Sequence, residues 1–201
     1  TSQAPLDMRM DDRQTLTAAE VVNRWPESEL ARIFYEYSDE RYSRAIAREI
    51  VRRRQNRPFS TANELADAVV SVVNRRRPAG GRRRKLHPAT RVFQAVRMAV
   101  NDELGALRRG LTAAADVLSP GGRLCVISFH SVEHRAVKTF MRERARSCTC
   151  PPGLTECVCG AREDMLILTR RSVKPTAAEI AANPQARSAQ LRVSEKKALA
   201  V

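Results

Sequence analysis

The first part of the chain carries apolar residues at the three- and four-residue steps that are typical of amphipathic helices. The sequences TAAE at 17–20 and TANE at 61–64 match the capping box that begins a helix. Pro26 and Pro58 each end a helix, since proline cannot continue one. The pattern predicts a helical unit over 15–75, with helices at 17–25, 27–37, 38–55 (capped by Ser38) and 61–75.

The second part of the chain has a mixed pattern. One apolar stripe predicts a single long helix over 89–118, which the sequence SPGG at 119–122 ends. The apolar run at 124–129 predicts a strand buried on both faces, with Cys125 in the core. Weaker signals predict a helix over 131–144, strands at 165–168 and 189–193, and a short helix from Thr176 to Asn183.

Polar residues follow the strand predicted at 124–129. They are Ser128, His130, Ser131, Glu133 and His134. An α/β enzyme presents its reactive groups at this end of a strand. A Ser–His hydrolase is not favoured, because the G-x-S-x-G elbow is missing. We therefore predict that Ser128, His130 and Ser131 line a cleft.

Charge adds a candidate partner. The 201 residues include 36 Lys and Arg against 22 Asp and Glu, a net charge of +14. The sequence RRRPAGGRRRK at 75–85 and the arginines at 52–54 concentrate this charge. A dense basic run binds polyanions such as RNA, although a solvated loop without a ligand remains open. With only 4% aromatic residues, contacts to phosphates are favoured over base stacking.

Compartment and metal chemistry depend on two further features. The sequence has neither an apolar run of transmembrane length nor a secretory start, so we expect a cytoplasmic protein with no membrane partner. Four cysteines, Cys148, Cys150, Cys157 and Cys159, form a C-x-C-x6-C-x-C pattern in a loop at 147–160. A structural zinc site and redox-labile thiols both remain open, because zinc ligands are more often spaced C-x2-C.

Several ungapped motifs together resemble a known family. They are PLDMRMD at 5–11, HPATRVFQAVR at 87–97 with NDEL at 101–104, PGGRL at 120–124 with ISFHS at 127–131, and NPQARSAQLRV at 183–193. In this order they are similar to the bacterial small-subunit ribosomal RNA methyltransferase H family, the cytidine N4-methyltransferases also called MraW. The family's FHSLED pattern has an aspartate where this chain has His134, which removes a negative charge, so we assign that position no role in the mechanism.

The resemblance implies an α/β fold, an incomplete Rossmann-like class I methyltransferase fold with an inserted all-helical domain. Residues 1–14 would be a remnant of the methyltransferase domain, and 15–86 the helical insert with the basic loop 75–85. Residues 87–201 would be the carboxyl-terminal half, with the long helix, the strand 124–129, the Cys-rich loop 147–160 and two closing antiparallel strands.

The resemblance also implies S-adenosylmethionine-dependent N4-methylation of a cytidine in the decoding region of 16S rRNA, within the small ribosomal subunit. The family's glycine-rich cofactor loop precedes the PLDMRMD motif, so we expect no cofactor-binding residues in this chain. Alone it should bind S-adenosylmethionine weakly or not at all. We also expect one strand edge and one apolar face of the sheet to be exposed, which favours homo-oligomers. A non-catalytic basic RNA-binding module is the alternative.

N4 methylation needs hydrogen-bond acceptors, because the lone pair of the amino group is delocalised into the ring. The catalytic candidates are Asp7, Asn101, Glu103 and His130. The candidates for binding substrate are Arg9, His87, Arg91, Gln94, Arg97, Ser128 and Ser131. Structural roles remain open for several of them: Asp7 pairing with Arg9, His87 capping a helix, and Arg97 pairing with Asp102 or Glu103.

Overall fold

Helices and a small antiparallel sheet make up the described part of the chain. The computed structural model describes residues 4–76, 87–148, 150, 159 and 163–198. They form two compact units that divide between Glu103 and Leu104. None of the helices in these residues has the length and apolar character that a membrane crossing needs.

The described part of the first unit is helical. Its helices are α1 (Ala18–Arg24), α2 (Glu27–Glu36), α3 (Ser43–Asn56), α4 (Ala62–Arg76) and α5 (Thr90–Val100). The apolar faces predicted from the sequence meet in one core, in which Leu30, Phe34 and Ile50 are fully buried. Since α5 packs against α1 and α2, this unit extends beyond residue 86. The domain boundary at 86 that the resemblance implies stays a prediction.

The capping boxes lie where the sequence places them, but the predicted cap of the third helix is wrong. Thr17 Oγ1 accepts from Glu20 N, and Thr61 Oγ1 accepts from Glu64 N. Ser38, however, donates from Oγ to the carbonyl of Phe34 and closes the end of α2. Because the chain then turns at Asp39, with φ 51°, α3 begins only at Ser43.

The single helix predicted over 89–118 is also wrong, because the structure divides it into α5 and α6 (Glu103–Val117). Asn101 has φ −99°, and Asp102 lies in the left-handed region at φ 46°. Asn and Asp adopt such conformations more readily than other residues with a side chain, because their short polar groups bond the backbone nearby. The break therefore lies at Asn101 and Asp102.

The second unit contains β1 (Arg123–Ser128), α7 (Ser131–Arg144), β2 (Met165–Ile167), α8 (Ala177–Ala182), a 3-10 turn (Pro184–Ser188) and β3 (Gln190–Lys196). The strands lie in the order β1-β3-β2, and both pairs are antiparallel. Gly121 enters the turn before β1 with φ 81°, a conformation that glycine adopts without strain. The predicted antiparallel pairing of the last two strands is confirmed.

The prediction that β1 is buried on both faces is wrong within the described residues. Leu124 and Val126 pack towards Val137 and Met141 of α7, but Ile127 on the opposite face is 58% exposed. Cys125 lies on the same open face, so it is not a core residue. In the described sheet β1 is an edge strand, and the exposure of this edge and of one apolar face agrees with the prediction.

Candidate functional site

The PLDMRMD segment is fixed to the first unit by backbone hydrogen bonds. Leu6 is buried, and its amide donates to the carbonyl of Ser60 at 3.0 Å. The amide of Ala18 donates in turn to the carbonyl of Asp7 at 2.7 Å. Met8 has φ 63°, which turns the chain sharply after Asp7. These contacts fix the position of the backbone from which the side chains of Asp7 and Arg9 extend.

Asp7 and Arg9 form a two-pronged ion pair. Arg9 Nε donates to Asp7 Oδ1 at 2.7 Å and an Arg9 Nη donates to Oδ2 at 2.9 Å. The side chain of Asp7 stays 41% exposed. The hydrogen bonds from Arg9 lower the pKa of Asp7, so the carboxylate is ionised at neutral pH and its remaining lone pairs can accept from a ligand.

Asn101 connects this segment to the end of α5. Its Oδ1 accepts from the amide of Met10 at 2.8 Å and from Gln14 Nε2 at 2.9 Å. Its Nδ2 donates to the carbonyls of Met8 at 2.9 Å and Arg97 at 2.8 Å. Both donors and both acceptor positions of the amide are therefore used. In this arrangement Asn101 holds residues 8–14 in place.

Glu103 lies directly beyond this junction and is bound by Arg97. Arg97 Nε donates to Glu103 Oε1 at 2.7 Å, and an Arg97 Nη donates to Oε2 at 3.0 Å. The structure therefore brings five candidates into one network, which we call the Asn101 network. Asn101 connects the two ion pairs, through Gln14 on one side and the carbonyl of Arg97 on the other. The members are Asp7, Arg9, Arg97, Asn101 and Glu103.

The remaining candidates of the first unit lie towards the start of α5. His87 Nδ1 accepts from the amide of Ala89 at 3.3 Å. Ala89 is the N-cap residue of α5 and no side chain caps this helix, so the capping role of His87 stays a prediction. Arg91 donates to the carbonyl of Asp39 at 2.9 Å, and Gln94 Nε2 contacts Met98 Sδ at 3.8 Å. Arg91 and Gln94 do not join the Asn101 network through these contacts.

In the second unit, Ser128 and His134 meet at the end of β1. Ser128 is buried, and its Oγ lies 3.4 Å from His134 Nδ1 and donates to the carbonyl of Gln190 at 3.3 Å. Arg192 Nε donates to His134 Nε2 at 3.4 Å. Burial and the positive charge of Arg192 lower the pKa of His134. The histidine of a hydrolase triad pairs with a carboxylate, whereas the neutral imidazole of His134 lies beside a cation. This contact therefore agrees with the prediction that does not favour a Ser–His hydrolase.

His130 and Glu133 together cap α7. His130 Nδ1 accepts from the amide of Glu133, and Glu133 Oε2 accepts from the amides of Phe129 and His130. Burial raises the pKa of Glu133, but the hydrogen bonds outweigh burial and the net shift is downwards. His130 Nε2 lies 3.1 Å from Glu133 Oε1 without the alignment of a hydrogen bond. Ser131, the first residue of the helix, is exposed.

The first unit also has a basic groove, which the sequence analysis did not identify. It has a volume of about 1110 Å³ and lies where α2 meets the start of α3. Five arginines and two glutamates line it, together with exposed Tyr35 and with Tyr42, whose ring lies 4.7 Å from the Arg41 guanidinium. The arginines are Arg32, Arg41, Arg44, Arg48 and Arg76. The arginines of the third helix were a signal for this groove in the sequence. They were not sufficient to identify it, because residues of α2 complete the groove.

The cysteine pattern is described in part. The Sγ atoms of Cys148, Cys150 and Cys159 all lie within 4.8 Å of one another. Cys157 lies outside the described residues, as do most of the residues of the basic loop 75–85. The structure therefore brings three of the four predicted thiols together.

A helical unit with a basic groove and a mixed unit with polar groups at a strand end define a protein of the mixed α/β class. The chain belongs to the MraW methylase family, whose model matches residues 1–197.

Three relatives, each named ribosomal RNA small subunit methyltransferase H, agree with this assignment. The protein from Carboxydothermus hydrogenoformans is 51% identical over 96% of this chain and 60% of its own length. That from Syntrophotalea carbinolica is 52% identical over 95% of this chain and 60% of its own length. That from Thermomicrobium roseum is 50% identical over 96% and 57%. The chain thus spans about 60% of the length of these curated relatives.

Proposed function

We propose that the complete protein transfers a methyl group from S-adenosylmethionine to the exocyclic N4 of a cytidine in the decoding region of 16S rRNA, in the cytoplasm. The observation that carries the proposal is the family match over residues 1–197, which includes every candidate site residue. The names of the relatives, small-subunit rRNA methyltransferases, support the substrate class.

The described residues do not fit the cofactor, so no step is derived through it. A phosphate- or nucleotide-type cradle needs a glycine-rich turn that follows a strand and opens a helix. Gly121 and Gly122 instead precede β1, and the amide of Gly121 donates to the carbonyl of Lys196. A Cβ at Gly122 would lie 2.9 Å from the carbonyl oxygen of Ser119. We assign the cofactor to the part of the relatives that this chain does not span.

The Asn101 network supports a role on the substrate side. The lone pair of a cytosine amino group becomes available when its N–H bonds donate to fixed acceptors. Asp7 is ionised, partly exposed and held by Arg9, which suits it to accept from the amino group and to fix its orientation. We assign Asn101 and the Arg97–Glu103 pair to positioning this acceptor, and positioning supplies several kcal/mol in such reactions.

The decisive experiment is methyl transfer by a chimera. The amino-terminal region of the Carboxydothermus hydrogenoformans relative is joined in front of Pro5, and small subunits lacking the modification are the substrate. We expect labelled methyl from S-adenosylmethionine to appear as N4-methylcytidine in digested 16S rRNA, and the 201-residue chain alone to transfer less than about 1% as much. A folded chimera that binds S-adenosylmethionine but methylates no cytidine would contradict the proposal.

The basic groove supports a second candidate, binding of RNA without catalysis by this chain. Its lining carries five arginines against two glutamates, so phosphates are attracted to it. If the chain neutralises 6–10 phosphates, its affinity for small-subunit rRNA should fall by about 10³–10⁵ between 50 and 200 mM salt. Both candidates predict RNA binding, and methyl transfer by the chimera distinguishes them.

Charge reversal in the groove tests its part in RNA binding. We expect the double variant Arg41→Glu/Arg44→Glu to weaken binding of the chain to 16S rRNA fragments by at least about tenfold, because it removes contacts with phosphates. Each lost contact should also reduce the slope of log affinity against log salt concentration by about one. Filter binding as a function of salt measures both quantities. The control Arg24→Glu/Arg57→Glu changes the net charge equally at exposed sites outside the groove. Equal losses in both variants would show that net charge, and not the groove, determines binding.

A further inference from the structure

We propose that Cys148, Cys150 and Cys159 bind a structural zinc ion as thiolates. This site goes beyond the proposed function and does not depend on it. Cys148 and Cys150 follow the end of α7 at Arg144, and Cys159 precedes β2, which begins at Met165. The cysteines thus bring two separated parts of the connection between α7 and β2 to one point.

The spacing of the sulfur atoms is compatible with the binding of one zinc ion. A tetrahedral site with Zn–S bonds of about 2.3 Å places its sulfur atoms about 3.8 Å apart. Cys159 Sγ lies 3.9 Å from Cys148 Sγ, and all three sulfur atoms lie within 4.8 Å of one another. A disulfide would need about 2.05 Å, so the 3.9 Å between Cys148 Sγ and Cys159 Sγ is too long for one and leaves room for an ion.

A backbone hydrogen bond supports the same assignment. The amide of Cys150 donates to Cys148 Sγ at 3.3 Å. Outer-shell donors of this kind orient a ligand and stabilise the negative charge of a metal-bound thiolate. The two-residue spacing of Cys148 and Cys150 makes this bond possible, because it places the second amide beside the first sulfur atom.

The chemistry of the ligands selects the ion. Thiolates are soft ligands that favour zinc over magnesium or calcium, which prefer oxygen. Zinc carries out no redox chemistry, and a structural zinc site fastens the chain segments that supply its ligands. The ion would fix the connection that leads into β2, next to the buried Asp164, whose contacts with Arg144 and Lys196 fasten the same region.

Metal analysis of the purified 201-residue chain tests the site. We expect about one zinc per chain by inductively coupled plasma mass spectrometry when chelators are omitted. The variants Cys148→Ser and Cys159→Ser should retain less than about a tenth of it. Cys125→Ser is the matched control, because Cys125 lies on the open face of β1, and it should retain the wild-type content.

Two measurements on the unmodified chain keep the test independent of how the variants fold. Competition with a chromophoric chelator should show uptake of one zinc per chain. Alkylation followed by mass spectrometry should show that zinc protects Cys148, Cys150 and Cys159 at least about tenfold, whereas exposed Cys125 reacts equally with and without zinc. The proposal is overturned if the chain takes up no zinc in competition, or if the three cysteines react alike in both conditions.

Discussion

Replacing Asp164 by alanine is expected to lower the free energy of unfolding of the second unit by about 3–5 kcal/mol. Asp164 is 3% exposed. Its Oδ1 accepts from Arg144 Nε at 2.7 Å, and its Oδ2 accepts from Lys196 Nζ at 2.9 Å. Without the carboxylate, two largely buried cations lose their shared counter-charge. Removing one partner of a buried ion pair costs several kcal/mol of stability, whereas an exposed ion pair contributes only about 0–1 kcal/mol.

Urea unfolding followed by circular dichroism measures this loss. Asp116→Ala is the matched control, because Asp116 also binds Arg144, at 2.9 Å, but its side chain is 45% exposed. The control should cost less than about 1 kcal/mol. A loss in Asp164→Ala no greater than that of the control would show that the buried pairs do not stabilise the unit.

The same carboxylate predicts a pH dependence. Burial raises the pKa of Asp164, but the hydrogen bonds from Arg144 and Lys196 outweigh burial, so the pKa in the folded state is lowered. A lowered pKa in the folded state means that stability is present above the unfolded value of about 3.9 and is lost as the pH falls through the folded value. The difference in stability between the wild type and Asp164→Ala should therefore be constant near neutrality and shrink below about pH 4.

Replacing Asn101 by alanine is expected to reduce kcat of the methyltransferring chimera by about 10²-fold. The variant removes the three side-chain hydrogen bonds from Asn101 to Met8, Met10 and Gln14. It also removes the bond from Asn101 to the carbonyl of Arg97 within α5. Residues 8–14, which include the Arg9 that holds the Asp7 carboxylate, would then be less firmly placed. A displacement of about 1 Å at a positioned group costs about this factor. The stability of the 201-residue chain should fall by only about 1–3 kcal/mol, because the lost bonds are partly exposed.

Steady-state kinetics with saturating S-adenosylmethionine separates positioning from a general loss of structure. A positioning role predicts a large fall in kcat with a small change in KM for the small subunit, at a temperature where the variant is folded. Asn63→Ala on the exposed first turn of α4 is the control and should keep wild-type kcat. An Asn101→Ala chimera with unchanged kcat would contradict the role assigned to the network.

Local signals allowed much of the fold to be predicted from the sequence. The helix predicted over 131–144 is α7, with His130 and Glu133 as its capping box. The caps at Thr17 and Thr61, and the strand and helix after PGGRL, also lie where the sequence placed them. These signals act between residues no more than four positions apart, so they can be read without knowing the rest of the fold.

The residues of the candidate site could be predicted from the sequence, but the contacts among them could not. The family motifs include Asp7, Asn101 and Glu103, yet they do not show that Asn101 bonds Met8, Met10 and Gln14. Those partners lie far away in the sequence, and the same bonds accompany the break between α5 and α6. Likewise, the alternation of β1 between a packed and an open face depends on its pairing with β3 and its packing on α7.

The sequence by itself determined the helical and mixed parts of the chain, the caps that begin α1 and α4, and the family. Only the tertiary structure decided where the long apolar stripe breaks, which face of β1 is open, that three cysteine sulfur atoms lie together, and that arginines of α2 and α3 share one groove. The physical reason is range: propensity and capping are local, whereas side-chain hydrogen bonds, strand pairing and clustered charges depend on residues that only folding brings together.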